Sequence, residues 1–446
     1  MSYKDFLLGP LYLFIVFFIA SLLKKKLAKT DLERKIYTRA LFVKLFGATF
    51  FALIYEFYYR GGDTMGFYAW SEKLASCLFS DTPTALSFLF SNNEESFFKF
   101  KYNNYASGYG YLLKYMTREH TFIKITSVVN LFALNSYLST TYLFALFSFV
   151  GNWLLYRVFI EHFTLIKEKM AWAVLYIPSV TFWGTGILKD TVTFGALGFL
   201  VYTIYKVFII KNKIFRNIFL MILSIYVIMI LKSYIFIAFL PAGVIWIVNH
   251  QKSKIKSGAL RALSTPFFIV LMATTLFGLV AIVGESAGRF SISQLEQTTK
   301  DFQGWHQVAS ENGSGYVIHS TGTSISSLLT ALPESVNVTY FRPYLWESGS
   351  IVVLMGAVES LIILLFFLKV FFIKGKIFMF FRAINSKPII QMCLIFAIFF
   401  GFVVGFTSFN FGALARYKIP SMPFFTAFLL MTSYQLDVYS GKIKEK

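Results

Sequence analysis

Cysteine and acidic residues are scarce in this chain, and each shortage excludes something. Its two cysteines, Cys77 and Cys393, lie far apart in 446 residues, and the second sits inside an apolar run. Neither a disulfide framework nor a cysteine metal site is expected from them. Charged residues make up only 14% of the sequence, against 57% hydrophobic and 20% aromatic. A soluble domain carries about 25% charged residues, so an ordinary soluble protein is excluded. Asp and Glu number 22 against 42 Lys and Arg, for a formal net charge of +20. No soluble domain, tandem repeat or extended low-complexity tract is evident. The first apolar stretch, Phe6 to Leu23, has no small-residue cleavage pattern before Lys24, Lys25 and Lys26, so it reads as a retained span rather than a signal peptide.

What is present in quantity is apolar sequence in long runs. Crossing roughly 30 Å of hydrocarbon takes about 20 helical residues, and runs of that kind fall near 5–23, 41–59, 138–160, 170–184, 191–209, 214–231, 233–249, 265–284, 350–373, 388–407 and 418–435. The expected fold is all-α, a polytopic transmembrane helical bundle of about 11 spans forming a single transmembrane domain over 1–446. The pair 214–231 and 233–249 also reads as one broken unit with Lys232 at its turn.

Loop charge sets the orientation. The segments 24–44, 157–169, 206–216, 250–261, 369–387 and 437–446 hold most of the basic residues and only six acids, Asp31, Glu33, Glu161, Glu168, Asp437 and Glu445. Such loops face the cytoplasm, where anionic lipid balances their charge; basicity here reflects topology, and a nucleic-acid partner is not expected. The N-terminus then lies outside and the C-terminus inside. Two long segments, 60–137 and 285–349, become extracytoplasmic. The first mixes aromatic and polar residues, as interfacial helices do. The second is rich in Gly, Ser and Thr around Asn312–Ser327 and reads as a mobile loop with turns.

On this topology the polar clusters that interrupt the apolar runs share the outer face. RGGDTMGFY, Arg60 to Tyr68, follows a span directly. Gly61 and Gly62 let the backbone turn and present Asp63 at the membrane surface, where a carboxylate suits a general base or a metal ligand. An N-cap for the next helix is the plainer alternative. Arg60 beside it is a candidate substrate contact. In WGTGILKD, Trp183 to Asp190, Lys189 at a helix start suits a phosphate, while Asp190 suits a cap. Lys232 is the only charge between Arg216 and Lys252, which makes it a candidate functional cation; snorkelling to headgroups is the alternative. FRPYLWE, Phe341 to Glu347, supplies Arg342, a planar partner for phosphate, with Glu347 as an internal partner. Arg416 and Lys418 in FNFGALARYKIP oppose the positive-inside tendency, and an anionic lipid headgroup would account for them. Span interiors read as nearly free of charge, with Glu359 the main exception.

An acid just after an early span (Asp63 in GGDTMGFY), interfacial helices behind it, many spans and a late ARYKIP followed by PF resemble the GT-C superfamily of membrane glycosyltransferases. The resemblance implies a GT-C-like fold with interfacial helices on the extracytoplasmic face of a bacterial inner membrane, and transfer of a sugar from a polyprenyl-phosphate-linked donor to a glycan or lipid acceptor. It implies Asp63 as catalytic base or metal ligand, with Arg416 and Lys418 on the donor phosphate. Lys189, Lys232, Arg342 and Glu347 complete the candidate substrate contacts. The cofactor expectation stays open between a divalent cation and none, since His306 and His319 near Glu311 match no metal-ligand spacing. The chain departs from the family in that Asp63 follows the second expected span, and the paired acids of many members are missing, with Glu56 and Glu72 the nearest. Two alternatives accompany it. A polysaccharide polymerase or ligase would rely on outward arginines, here Arg342 and Arg416. A lipid-oligosaccharide flippase would line a path through its spans with polar groups.

Overall fold

Long apolar runs become helices because backbone polar groups in hydrocarbon must be satisfied within their own segment. The computed structural model describes residues 1–252, 315, 316, 318, 325–373 and 377–443. Every regular element among them is helical. In chain order these are α1 (Tyr3–Leu27), α2 (Asp31–Leu53), α3 (Asp63–Ser80), α4 (Thr82–Phe90), α5 (Glu94–Asn103), α6 (Arg118–Phe132), α7 (Tyr137–His162), α8 (Lys167–Val174), α9 (Pro178–Trp183), α10 (Lys189–Ile204) and α11 (Ile214–Lys252). They continue with α12 (Ile325–Phe341), α13 (Ile351–Leu368), α14 (Ile377–Ile384), α15 (Pro388–Ser408), α16 (Phe411–Tyr417) and α17 (Met422–Tyr439). Wider π-helical turns extend α2 over Ile54–Tyr59, α10 over Tyr205–Ile209 and α13 over Lys369–Ile373.

Seven helices among the described residues are long and apolar enough to cross a membrane: Tyr3–Leu27, Asp31–Tyr59, Tyr137–His162, Lys189–Ile209, Ile214–Lys252, Ile351–Phe372 and Pro388–Ser408. The chain is an α-helical membrane protein. The seven differ from the expected eleven for identifiable reasons. Over 170–184 the chain forms α8 and α9 instead of one span, each too short to cross; Pro178 opens α9 and disfavours helical backbone at the residue before it. The pair 214–231 and 233–249 forms one long helix broken at Lys232, whose φ of −149° and ψ of 71° are not helical. Over 418–435 the helix starts only at Met422, after the separate α16, and its last turns carry Gln435 and Asp437. The expected span 265–284, together with His306, Glu311 and His319, lies outside the described residues.

The chain divides into two compact units, Met1–Leu154 with Val180–Phe199 and Leu223–Lys232, and Leu155–Ser179 with Leu200–Ile222 and Ser233–Lys446. In the first unit, 60–137 supplies four helices, α3 to α6. Asp81, Asn93 and Thr117 cap α4, α5 and α6 by accepting the N–H groups of Thr84, Ser96 and His120, which satisfies donors that a helix start otherwise leaves open. Phe67, Trp70, Leu74, Phe88, Phe97, Phe100 and Phe122 build a buried apolar core there. Phe79, Phe90 and Tyr102 instead stay 82–89% exposed, the amphipathic division that an interfacial element needs. Helices α7 and α10 approach so closely that a Cβ on Gly198 would collide with the Gly151 carbonyl.

In the second unit the expected loop 285–349 is corrected in part. Its described portion contains α12, followed by a single 3₁₀ turn at Leu345–Glu347. Ala331, Ser335 and Val338 bury one face of α12, and Tyr340 near its end is buried as well. Thr339 donates to the carbonyl of Gly401 at 2.6 Å and Tyr340 to that of Ala397 at 2.8 Å. A Cβ at Gly405 would strike the Ser335 carbonyl. Gly401 and Gly405 thus form the small-residue face of α15 on which α12 packs closely.

Candidate functional site

The first unit brings several helix starts to one end. Asp5 in α1 accepts from Ser136 Oγ at 2.8 Å and from Leu138 N at 3.1 Å at the start of α7. Tyr68 in α3 donates to the carbonyl of Asn135 at 3.0 Å. The starts of α1, α3 and α7 therefore share that end.

Asp63 follows the Gly61–Gly62 turn that separates α3 from the widened end of α2. Arg60 closes the widened last turn with a left-handed φ of 50°, and Gly62 follows with φ 92°, a value that suits glycine because it lacks a Cβ. Gly62 is the N-cap and its carbonyl accepts the N–H of Gly66 at 3.1 Å. Asp63 is thus the first residue inside α3 rather than its cap. Its carboxylate lies at the positive end of the helix and is half-buried. Burial first, and then the charge of Asp63, push the Tyr111 phenol above its ordinary pKa. Arg60 is exposed, with Nε 3.4 Å from the Phe57 carbonyl of its own helix.

Lys189 and Lys232 both meet carboxylates within this unit. Lys189 pairs with Glu119 at the start of α6 and lies 5.8 Å over the Phe67 ring. Although burial alone would raise it, the Glu119 carboxyl lies below its usual range because Lys189 attracts and hydrogen-bonds it. Lys232, at the break in α11, pairs with Asp190, and both side chains are buried. Lys232 therefore does not snorkel, and Asp190 is an ion-pair partner rather than simply a cap.

Sequence reasoning missed two buried groups here. Lys44, inside α2, is 2% exposed; its Nζ is 3.3 Å from the Val180 carbonyl and 5.5 Å over the Phe194 ring. The expectation that Glu359 is the main charge inside the spans is corrected accordingly; a lone lysine in the 41–59 run was the available signal. His120 in α6 is buried among Phe88, Phe97 and Tyr115. Burial, with a smaller effect of Lys124, pushes its pKa down to about 4.

In the second unit Arg342 and Glu347 are brought together. Arg342 Nε reaches both carboxylate oxygens at 3.0 and 3.1 Å, and a terminal guanidinium nitrogen makes a further contact. Glu347 also accepts the N–H of Tyr344 at 2.7 Å. The guanidinium lies 5.4 to 5.8 Å from the rings of Phe411, Tyr316 and Tyr344. Its bidentate face is already turned to a carboxylate. Arg416 is half-buried, 5.8 Å over Tyr417. Lys418 is not at the surface: it is 1% exposed, and its Nζ is 3.3 Å from Ser360 Oγ.

Of the paired-acid substitutes, Glu56 meets the amine of Met1, and burial raises the pKa of Glu72 despite Lys4 and Lys73. Among the described residues no three His, Cys, Asp or Glu side chains gather as a metal site would require. No family model, curated protein or solved structure matches this chain.

Proposed function

We propose that this protein is an integral-membrane glycosyltransferase that moves a sugar from a polyprenyl-phosphate-linked donor to a glycan or lipid acceptor on the extracytoplasmic face, with Asp63 as general base. One observation carries the reading: Asp63 opens an amphipathic helix directly after a membrane helix, is only half-buried, and is not spent as the N-cap. A base for an acceptor hydroxyl has to be reachable from the aqueous side while the lipid tail of the donor stays in the bilayer. The four helices of 60–137, with a buried aromatic core and exposed aromatic tips, support a surface at which such an amphiphile docks. The Arg342–Glu347 pair weighs against a polymerase or ligase that depends on Arg342 as an outward cation.

In this reading Arg416 contacts the donor phosphate. Binding of a short-chain polyprenyl phosphate to purified protein tests the anionic site. Arg416→Ala should weaken binding about ten- to hundredfold, the value of a charge-assisted contact. Arg416→Lys should recover part of that loss, since the charge survives and the bidentate fork does not. Equal affinities for wild type and both variants, each shown to be folded, would remove Arg416 from the site.

A further inference from the structure

The second unit holds a buried polar cluster within its apolar helices that the proposed transfer chemistry does not use. Glu359 lies about 12 Å along α13 from Ile351, at 1.5 Å per residue, and is 6% exposed. Its Oε2 accepts the backbone N–H of Ser179 at 2.7 Å. Its Oε1 is buried without a hydrogen-bond partner, and so is Ser179 Oγ. Ser360, the next residue, donates to the Arg342 carbonyl at 3.0 Å and accepts from Lys418 Nζ at 3.3 Å. That is the one hydrogen bond of the Lys418 ammonium among the described residues, although an ammonium has three N–H groups to place.

Glu359 and Lys418 are close enough for their charges to interact, yet among the described residues they form no direct ion pair. Buried polar atoms without partners are rare and costly, and here the unfilled carboxylate oxygen and hydroxyl belong to two residues joined by a hydrogen bond, while the under-used ammonium is bonded to the residue after Glu359. The charges decide what fits between them. An anion would meet Glu359 and a cation would meet Lys418, while an apolar group would leave the carboxylate oxygen and the hydroxyl unsatisfied. A neutral oxygen that both donates and accepts satisfies the carboxylate and the ammonium at once.

We propose that Glu359, Ser179 and Lys418 form a buried seat for one hydroxyl oxygen, which donates its proton to a hydrogen bond with Glu359 Oε1 and accepts one from Lys418 Nζ. Ser179 Oγ completes its shell. Water and a sugar hydroxyl share this chemistry, and the seat does not depend on the transferase reading.

The test is a high-resolution structure of the full chain in lipid nanodiscs, determined without sugar and again with saturating D-glucose or D-galactose. Density for an oxygen at hydrogen-bond distance from both Glu359 Oε1 and Lys418 Nζ is expected. Its presence in all samples identifies water; its appearance only with hexose, joined to ring density, identifies a sugar hydroxyl. Glu359→Leu should lose this density, and Glu359→Gln, which conserves volume and an acceptor oxygen, should keep it. No density in any wild-type sample, with Oε1 and Nζ bonded instead to protein groups, would overturn the proposal. So would density that persists unchanged in Glu359→Leu.

Discussion

Lys232 leaves the helical backbone of α11 and sends its ammonium to Asp190. Both side chains are buried, so each depends on the other for compensation. Removing one partner of a buried pair strands a charge and costs about 3–5 kcal/mol, whereas replacing both with apolar residues of similar size is often neutral. Lys232→Met alone should therefore lower the thermal midpoint markedly, and Lys232→Met with Asp190→Leu should regain most of the loss. A single variant as stable as wild type would show that the pair is not formed. His120 yields a pH prediction. Its pKa is depressed to about 4 from the ordinary 6.5 because burial disfavours the charged ring. A group that binds its proton less readily when folded contributes stability that is full above pH 6.5 and lost as the pH falls toward 4. The thermal midpoint should drop across that window, and His120→Phe should flatten the drop; an unchanged profile in the variant would contradict the assignment. The lone positions of Lys232 and Asp63 were legible in the sequence because isolated charges stand out against apolar runs. Asp190 as the partner of Lys232 was not legible, since pairing across 42 residues is a matter of tertiary placement.

At the scale of elements, apolar length was the readable quantity and helix breaks were not. The expected spans 5–23, 41–59, 138–160, 191–209, 350–373 and 388–407 each lie on a helix long enough to cross, because a continuous apolar run has few other ways to satisfy its backbone. The 170–184 run had the composition but not the continuity, with Pro178 dividing it. Helix α12 was hidden for the opposite reason: its apolar face is diluted by Ser, Thr, Asn and Pro333, and it is held by hydrogen bonds to Gly401 and Ala397 that only packing reveals. Gly405 is the position on which that contact turns. Gly405→Val pushes side-chain atoms into the Ser335 carbonyl, and overpacking of this kind costs about 1–3 kcal/mol or more. A reduced yield of monodisperse protein and a lower midpoint are expected, while Gly356→Val, where the added Cβ meets nothing within 4 Å, should be tolerated. Equal behaviour of the two variants would refute close packing at Gly405.

For the molecule as a whole, the proposed orientation puts α3 to α6 outside and the loop after α10 in the cytoplasm. Glu95 in α5 and Asn212 before α11 are both exposed, whereas the native Cys77 and Cys393 are buried. Glu95→Cys should react with a membrane-impermeant thiol reagent in intact cells, and Asn212→Cys only after permeabilisation; the reverse pattern would invert the topology and detach Asp63 from an extracytoplasmic acceptor. The central claim is that Asp63 is the base of a transfer from a lipid-phosphate-linked sugar. Because Gly62 and not Asp63 caps α3, Asp63→Asn keeps the helix cap and weakens the dipole interaction by about 0.3–1 kcal/mol. The decisive measurement is sugar transfer from a polyprenyl-phosphate donor by purified wild type and Asp63→Asn in liposomes, with thermal midpoints recorded for both. The account predicts transfer by wild type, a loss of about 10²–10⁴-fold in the variant, as for removal of a general base, and closely similar midpoints; near-normal transfer by Asp63→Asn would contradict it.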